Sequence, residues 1–348
     1  MSAPRILIAA GGTGGHLFPA VAVAKALQEK HPDCCIEFIG TLSGIEKDVI
    51  PELSYKLHLI PACKFYRMPP LKRATNFLKL IWAVGKSAWV ILRFNPRAII
   101  GTGSYTAAPE QNASPGITNR IAAKYADISL LAYEPTSKRL YKRYEVVGNP
   151  IRHEIHKLSE YPVVLPEGRL HIYIIGGSQG AHILNIMLGE CLPMLEKYAD
   201  KIQLTHQTGK TGYDYVSAYA QKASFPYVVT PFIKDMQNAY QNASLIISRA
   251  GSIVNEFLAA GQASVLVPIA KSSGNHQKSN ADALSNNGAA ITIEEKHLTP
   301  QHLFETLEKI ITDPETLKSM SDSARALYKS HSASRAADVI SRFFLQKK

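Results

Sequence analysis

A run of aliphatic residues, a turn almost without side chains and the start of a helix form a unit that occurs twice, and no other feature constrains the fold as tightly. Ile6-Leu7-Ile8-Ala9-Ala10 leads into Gly11-Gly12-Thr13-Gly14-Gly15-His16 and then the helical pattern Pro19 to Leu27. His171-Ile172-Tyr173-Ile174-Ile175 leads into Gly176-Gly177-Ser178-Gln179-Gly180-Ala181 and a helical pattern from His182 to Leu188. A strand that turns this tightly into a helix aims backbone N–H groups and a helix N-terminus at one spot, which suits a phosphate. A chain that builds such a spot once in each half is expected to hold two phosphorylated molecules face to face.

Strand-like runs alternate with helical patterns throughout, which predicts an α/β protein with parallel sheets. The first-half strands are expected at 5–10, 35–39, 56–60, 98–100, 128–132 and 145–147. Those of the second half are expected at 170–175, 202–206, 227–230, 245–248, 263–267 and 289–293. Helices are expected between them, for example over 116–125, 253–260 and 277–286, with a last amphipathic one over 332–345. The 348 residues suffice for two domains with separate cores. The stretch 148–168, with Pro150, Pro162 and Pro166 and no clear period, is the expected linker. Sheets of this kind bind ligands outside the carboxyl ends of their strands, so the site is expected in a cleft where two such edges meet.

The formal charge of +11 is unevenly spread. Between Glu52 and Glu110 there is no acidic residue, yet Lys56, Lys64, Arg67, Lys72, Arg73, Lys79, Lys86, Arg93 and Arg97 fall there. The same stretch carries Phe65, Phe77, Leu80, Ile81, Trp82, Val84 and Trp89. Basic and apolar side chains together fit a helix in the headgroup zone of an anionic membrane better than a nucleic-acid surface. A core helix with solvated lysines is the alternative. No run reaches the ~20 apolar residues of a membrane span, and the apolar start is too short for a signal peptide. Cys34, Cys35, Cys63 and Cys191 lack metal or redox spacing and are expected to be buried in a reducing compartment.

The first turn lacks the third glycine of G-x-G-x-x-G, and the second strand ends at Ile39-Gly40-Thr41 without the acidic residue a dinucleotide ribose needs. Neither turn has a P-loop lysine. In the second half, Ser248-Arg249-Ala250-Gly251-Ser252 follows a strand and Glu256 lies within the next helix. Glu256 is placed to accept from ribose hydroxyls and Arg249 to offset phosphate charge, unless the two simply pair with each other. The polar loop 271–277 follows another strand end, where binding groups commonly lie. No Asp-x-Asp pair exists to hold a metal against a diphosphate; donors at Ser178, Gln179 and Gly180 are expected to stabilise the leaving group instead. His16, closing the first turn, is the candidate general base for an attacking hydroxyl, or else a cap or phosphate ligand.

These motifs, with Phe18-Pro19-Ala20, Glu110-Gln111-Asn112, Val147-Gly148-Asn149-Pro150-Ile151-Arg152 and Ala259-Ala260-Gly261, make the chain similar over nearly its whole length to the MurG family of bacterial glycosyltransferases. The resemblance implies a GT-B fold: an acceptor and membrane-associating domain over 1–150, a donor domain over 151–330, and a helix over 331–348 crossing back to the first. It implies inverting transfer of N-acetylglucosamine from UDP-N-acetylglucosamine to the C4 hydroxyl of the muramyl sugar of lipid I, on the cytoplasmic face of the inner membrane. It further implies that no cofactor, metal or nucleic acid takes part, that residues 64–93 meet the anionic membrane, and that other cell-wall synthesis proteins are partners. On the acceptor side the resemblance places His16 as base, with Thr13, Gly14, Gly15, Tyr105 and Asn112. On the donor side it places Arg152, Ser178, Gln179, Gly180, Ile233 (through its backbone, near the uracil), Arg249, Glu256 and Gln277.

The sequence departs from the family pattern in two places. Tyr105 to Pro109 runs straight into Glu110, with Pro109 where the family has a histidine, so a helix and a strand of the acceptor domain are expected to be missing. One residue is also missing between Gly251 and Glu256. The alternatives are another GT-B enzyme, such as a glycolipid synthase or a UDP-sugar epimerase, and a membrane-bound cell-wall scaffold without acceptor chemistry.

Overall fold

The computed structural model describes residues 3–11, 14–42, 44–61, 70–102, 126–132, 143–163, 168–177, 180–270 and 276–346. The chain forms two compact units, one holding the described residues up to Ile151 together with those from His331 onward, the other running from Arg152 to Ser330.

In the first unit, β1 (Arg5–Ala9), α1 (Gly14–Lys30), β2 (Cys35–Thr41), α2 (Glu46–Glu52), β3 (Lys56–Ile60), α3 (Pro70–Phe94) and β4 (Ala98–Gly101) follow in order. The strands pair in parallel as β3-β2-β1-β4. Ile6, Ile8 and Phe38 are buried against Leu17, Ala20 and Leu27 of α1. The short strands β5 (Ser129–Leu131) and β6 (Tyr144–Val146) pair in parallel as a separate two-stranded sheet among the described residues. The departure at Pro109, and the helix expected over 116–125, lie outside the described residues.

Two details of this unit differ from the sequence reading. Cys35 is exposed at the first position of β2, where the strand has not yet entered the core, while Cys34 is buried. The helix after β1 begins at Gly14 rather than near Pro19, so Pro19 lies inside it. Proline has no N–H to offer the Gly15 carbonyl one turn back. His16 therefore stands in the first turn of a helix and does not close the loop before it.

α3 lays only one stripe on its own sheet. Val90 and Phe94 pack on Leu7, Ala9 and Ile39. Its other face leaves Phe77, Ile81, Trp82 (58 %), Val84, Trp89 and Leu92 (80 %) exposed. Lys86 sits over the Trp82 ring and Arg93 over Trp89, each 5.1 Å from the ring centre. No helix among the described residues is long and apolar enough to cross a membrane.

The second unit opens with α4 (His153–His156) and a short 3₁₀ turn, which bury Ile155 and Leu158. Within the segment expected to be a linker, His153 to Glu160 is thus helical. Then come β7 (Leu170–Ile175), α5 (His182–Leu195), β8 (Ile202–Gln207), α6 (Tyr213–Ala220), β9 (Tyr227–Thr230), α7 (Met236–Asn242) and β10 (Leu245–Ser248). α8 (Val254–Ala260), β11 (Ala263–Leu266), α9 (His276–Ser285), β12 (Ala290–Thr292), α10 (Pro300–Thr312) and α11 (Pro314–Leu327) complete it. The parallel sheet runs β12-β11-β10-β7-β8-β9, the Rossmann order. In both units the glycine turn follows the strand at which the order reverses, the place where such sheets take ligands.

The last helix, α12 (Ser332–Gln346), joins the core of the first unit: Ala336, Ala337, Val339 and Ile340 are buried among the α1 and β1 side chains. Lys30 pairs with Asp338, His31 Nε2 meets Ser341 Oγ at 2.8 Å, and Arg335 Nε donates to the Val147 carbonyl at 3.2 Å.

Candidate active site

The donor candidates of the second unit follow one row of its sheet. The last residues of neighbouring strands stand side by side: Leu266 by Ser248, Ser248 by Ile175, Ile175 by Gln207, and Gln207 by Thr230. Each loop that leaves this row therefore starts at the same carboxyl edge. Glycines 176, 177 and 180 follow β7, Phe232 and Ile233 follow β9, and Arg249 to Gly251 follow β10.

The second glycine turn is shaped by the protein's own backbone as much as by space for a ligand. Gly177 and Gly180 hold φ of +78° and +74°, which side-chain-bearing residues rarely adopt. A Cβ on Gly180 would overlap the Thr208 carbonyl, whereas one on Gly177 would meet nothing within 4 Å. Thr208 is fixed in turn. Asn185 Nδ2 donates to its carbonyl at 3.1 Å, and Asn185 Oδ1 lies 2.9 Å from His206 Nε2. His206 Nδ1 lies 3.0 Å from the Tyr227 hydroxyl. Because the Asn185 amide nitrogen is spent on Thr208, its oxygen faces His206, so Nε2 carries the proton and Nδ1 accepts from Tyr227. Burial holds the His206 pKa down to about 3, so this chain of bonds is neutral.

Arg152 and Glu256, 104 residues apart in sequence, meet in a buried fork: Nε donates to Oε1 at 2.9 Å and Nη2 to Oε2 at 2.6 Å. Tyr240 Oη donates to the same Oε2 at 2.9 Å. Burial alone would depress the Arg152 pKa, but the hydrogen bond and charge of Glu256 outweigh it and keep the guanidinium cationic. Burial, reinforced by the Glu256 charge, pushes Tyr240 well up. Glu256 Oε2 thus accepts two hydrogen bonds and Oε1 one.

The other donor candidates have different partners. Arg249 pairs with Glu295 at 3.4 Å and donates to the Val267 carbonyl at 3.1 Å, so the alternative of an Arg249–Glu256 pair does not occur. Its charge is taken up by Glu295, in the turn that follows β12. Gln277 uses its side-chain oxygen to accept from the Ile269 N–H at 3.0 Å. Ile233 donates its N–H to Gln207 Oε1 at 3.0 Å.

In the first unit, His16, Gly14 and Gly15 form the first turn of α1. His16 is half-buried. Glu46, at the start of α2, is fully buried beneath the approach to that turn and accepts from Thr41 N at 2.8 Å and Thr41 Oγ1 at 2.7 Å. A Cβ on Gly11 would come within 2.7 Å of Glu46 Oε1. Thr13, Tyr105, Asn112, Ser178 and Gln179 lie outside the described residues.

Sequence reasoning passed over Gln207, Tyr240 and Glu46. The polar run His206-Gln207-Thr208-Gly209 at the end of an apolar strand was the available signal for Gln207. For Glu46 it was the glycine-rich company of Gly40 and Gly44.

The glycosyltransferase family 28 N-terminal domain matches residues 6–109 and the family 28 C-terminal domain residues 171–342. The first match stops at Pro109, the residue at which the sequence leaves the family pattern. A UDP-N-acetylglucosamine--N-acetylmuramyl-(pentapeptide) pyrophosphoryl-undecaprenol N-acetylglucosamine transferase of Geobacter metallireducens is 34% identical over 344 residues, covering 93% of this chain and 94% of its own. The same-named protein of Thermodesulfovibrio yellowstonii is 34% identical over 365 aligned positions, 99% of this chain and 100% of its own, so it carries positions that the 348-residue chain lacks. The crystal structure of Acinetobacter baumannii MurG superposes with a TM-score of 0.75 at 26% identity, covering 97% of this chain and 99% of that one. With two Rossmann-like parallel sheets, each carrying a glycine turn at its point of reversal, the chain is an enzyme of glycosyltransferase family 28, of GT-B fold, in the branch that holds the MurG proteins.

Proposed function

We propose that this enzyme transfers N-acetylglucosamine from UDP-N-acetylglucosamine to the C4 hydroxyl of the muramyl sugar of lipid I, with inversion, to give lipid II for the cell wall. The observation that carries the reading is the 34% identity to transferases of that name over 93% and 99% of the chain. The row of strand ends in the second unit supports a donor site there. Its glycine turn and the start of α5 would receive the diphosphate, Glu256 a ribose hydroxyl and the 232–233 segment the base. Backbone donors already in place would stabilise the departing diphosphate without a metal. In the first unit, His16 would take the proton of the attacking hydroxyl while Gly14 and Gly15 let the acceptor approach the chain closely. Thr13, Tyr105, Asn112, Ser178 and Gln179 complete the proposed contacts, and Arg152, Arg249 and Gln277 border them.

The exposed apolar face of α3 supports a peripheral seat on the cytoplasmic surface of the inner membrane. Phe77, Trp82 and Trp89 would enter the headgroup zone with Lys79, Lys86 and Arg93 beside anionic lipid. There the enzyme would meet an acceptor that never leaves the bilayer.

The test is transfer of labelled sugar from UDP-N-acetylglucosamine to a short-chain lipid I analogue, with the product identified by mass. A lipid-bound disaccharide that forms in excess EDTA is the expected result. Turnover of the UDP-sugar without any lipid would point to an epimerase-like reaction and overturn the reading.

A further inference from the structure

Glu46, the first residue of α2, is fully buried, a rare place for a carboxylate. Glycines surround it. A Cβ on Gly11, in the turn after β1, would stand 2.7 Å from Glu46 Oε1, and one on Gly40, next to last in β2, 2.6 Å from its Cγ. A Cβ on Gly44, in the loop before α2, would overlap Oε2. At Gly11 and Gly44 the three nearest obstacles all belong to Glu46. The backbone at Gly11 lies outside the left-handed region, so its lack of a side chain answers to Glu46 and not to conformation. The carboxyl is itself held: the N–H and Oγ1 of Thr41 both donate to Oε1, at 2.8 and 2.7 Å. Ile45, the residue before it, reaches to 3.5 Å from where a Cβ on Gly14 would stand, in the turn of α1 that carries His16.

We propose that Glu46 is a positioning residue of the acceptor side, whose carboxyl fills the space the glycines leave and so sets where the first glycine turn and the start of α1 stand. The proposal rests on the acceptor reading above. It gives Gly11 a purpose different from that of Gly14 and Gly15: Gly11 makes room for the protein's own carboxyl, not for a ligand. Anchored on the last residue of β2, that carboxyl does not step aside, and any side chain at position 11 must displace the turn instead. A displacement of about 1 Å in a group that positions the reaction costs on the order of 100-fold. The donor residues belong to the other unit, so UDP affinity reports separately from this turn.

The experiment is a double-variant cycle on the full-length protein, with Gly11→Ala, Glu46→Ala and the two combined. Each is measured for kcat and KM with the lipid I analogue, for UDP affinity by calorimetry, and for folding by circular dichroism melts. Gly11→Ala should lose about tenfold or more in kcat at unchanged UDP affinity, because its methyl meets a fixed carboxyl. In the Glu46→Ala background that carboxyl is gone, and the same methyl should cost no more than about twofold, so the two losses do not multiply. Wild-type kcat in Gly11→Ala overturns the proposal. So do losses that multiply, and so does a UDP affinity that falls as far as kcat, the mark of general loosening. Should Glu46→Ala not fold, Gly11→Ala decides alone, with kcat and UDP affinity read together. A wild type that transfers no sugar to the analogue defeats the acceptor reading itself, and the proposal with it; an active wild type whose cycle fails defeats the proposal alone.

Discussion

Arg152 closes both arms of its guanidinium on the carboxylate of Glu256, with Nε and Nη2 at 2.9 and 2.6 Å from separate oxygens and little of either side chain in contact with solvent. This pairing joins the first residue of the second unit to the helix that follows β10, so substitutions at Glu256 test stability and donor binding together. Glu256→Ala leaves a buried cation unpaired, and breaking such a pair costs about 3–5 kcal/mol. The double variant Arg152→Met with Glu256→Leu should regain most of the melting temperature lost by Glu256→Ala, yet still bind UDP at least tenfold more weakly than wild type. Chemical denaturation and calorimetry on the three proteins check this. A double variant with wild-type UDP affinity would remove both residues from the donor site.

Gly177 and Gly180 share a backbone region but differ in surroundings. Gly177→Ala carries only the strain of its positive φ, about 1–3 kcal/mol, and keeps a folded turn. Gly180→Ala adds an overlap with the Thr208 carbonyl, itself held by Asn185, and should lower stability well beyond its neighbour. Equal melting temperatures for the two variants would show that the turn yields around Thr208.

His206 gives the second unit a pH dependence with a definite sign. Its pKa is about 3 when folded, because it is buried, against an ordinary value of 6.5. The unfolded chain therefore binds the proton first as pH falls. Stability is at its full value above about pH 6.5 and declines toward pH 3, by up to ~1.4 kcal/mol per pH unit from this one group. Urea titrations between pH 7 and 4.5 should show the decline, and His206→Gln should flatten it. An identical pH slope in that variant would assign the effect to other groups.

Much of the scaffold was readable because buried parallel strands are near-continuous runs of β-branched residues. β7, β9 and β10 lie at 170–175, 227–230 and 245–248, where Leu170 to Ile175, Tyr227 to Thr230 and Leu245 to Ser248 predict them. What stayed hidden was of two kinds. Glycine and proline obscured helix starts: α1 begins among Gly14 and Gly15, and α4 lies between Pro150 and Pro162. Partnerships across long stretches of sequence leave no local trace. Nothing near Glu256 says that its cation is Arg152 rather than Arg249, and nothing near Glu46 says that Gly11 lies against it.

The exposed face of α3 predicts vesicle binding that needs anionic lipid and weakens as salt rises, since surface charge is screened over ~8–10 Å at 0.10–0.15 M. Phe77→Ser with Trp82→Ser should reduce cosedimentation with such vesicles and leave UDP affinity intact, because both side chains lie outside the core. Equal binding to neutral and anionic vesicles at every salt concentration would give the positive charge another purpose.

His16 carries the central chemical claim, and the pH–rate profile of His16→Ala tests it most directly. A sugar hydroxyl is a poor nucleophile near neutrality, and a positioned base contributes roughly 10²–10⁴-fold. With lipid I analogue as acceptor, the variant should lose that factor in kcat at unchanged UDP affinity, and the acidic limb of the profile should disappear with the imidazole that titrates in it. A variant that keeps the limb and kcat and shows only a raised acceptor KM would make His16 a binding residue and contradict the account.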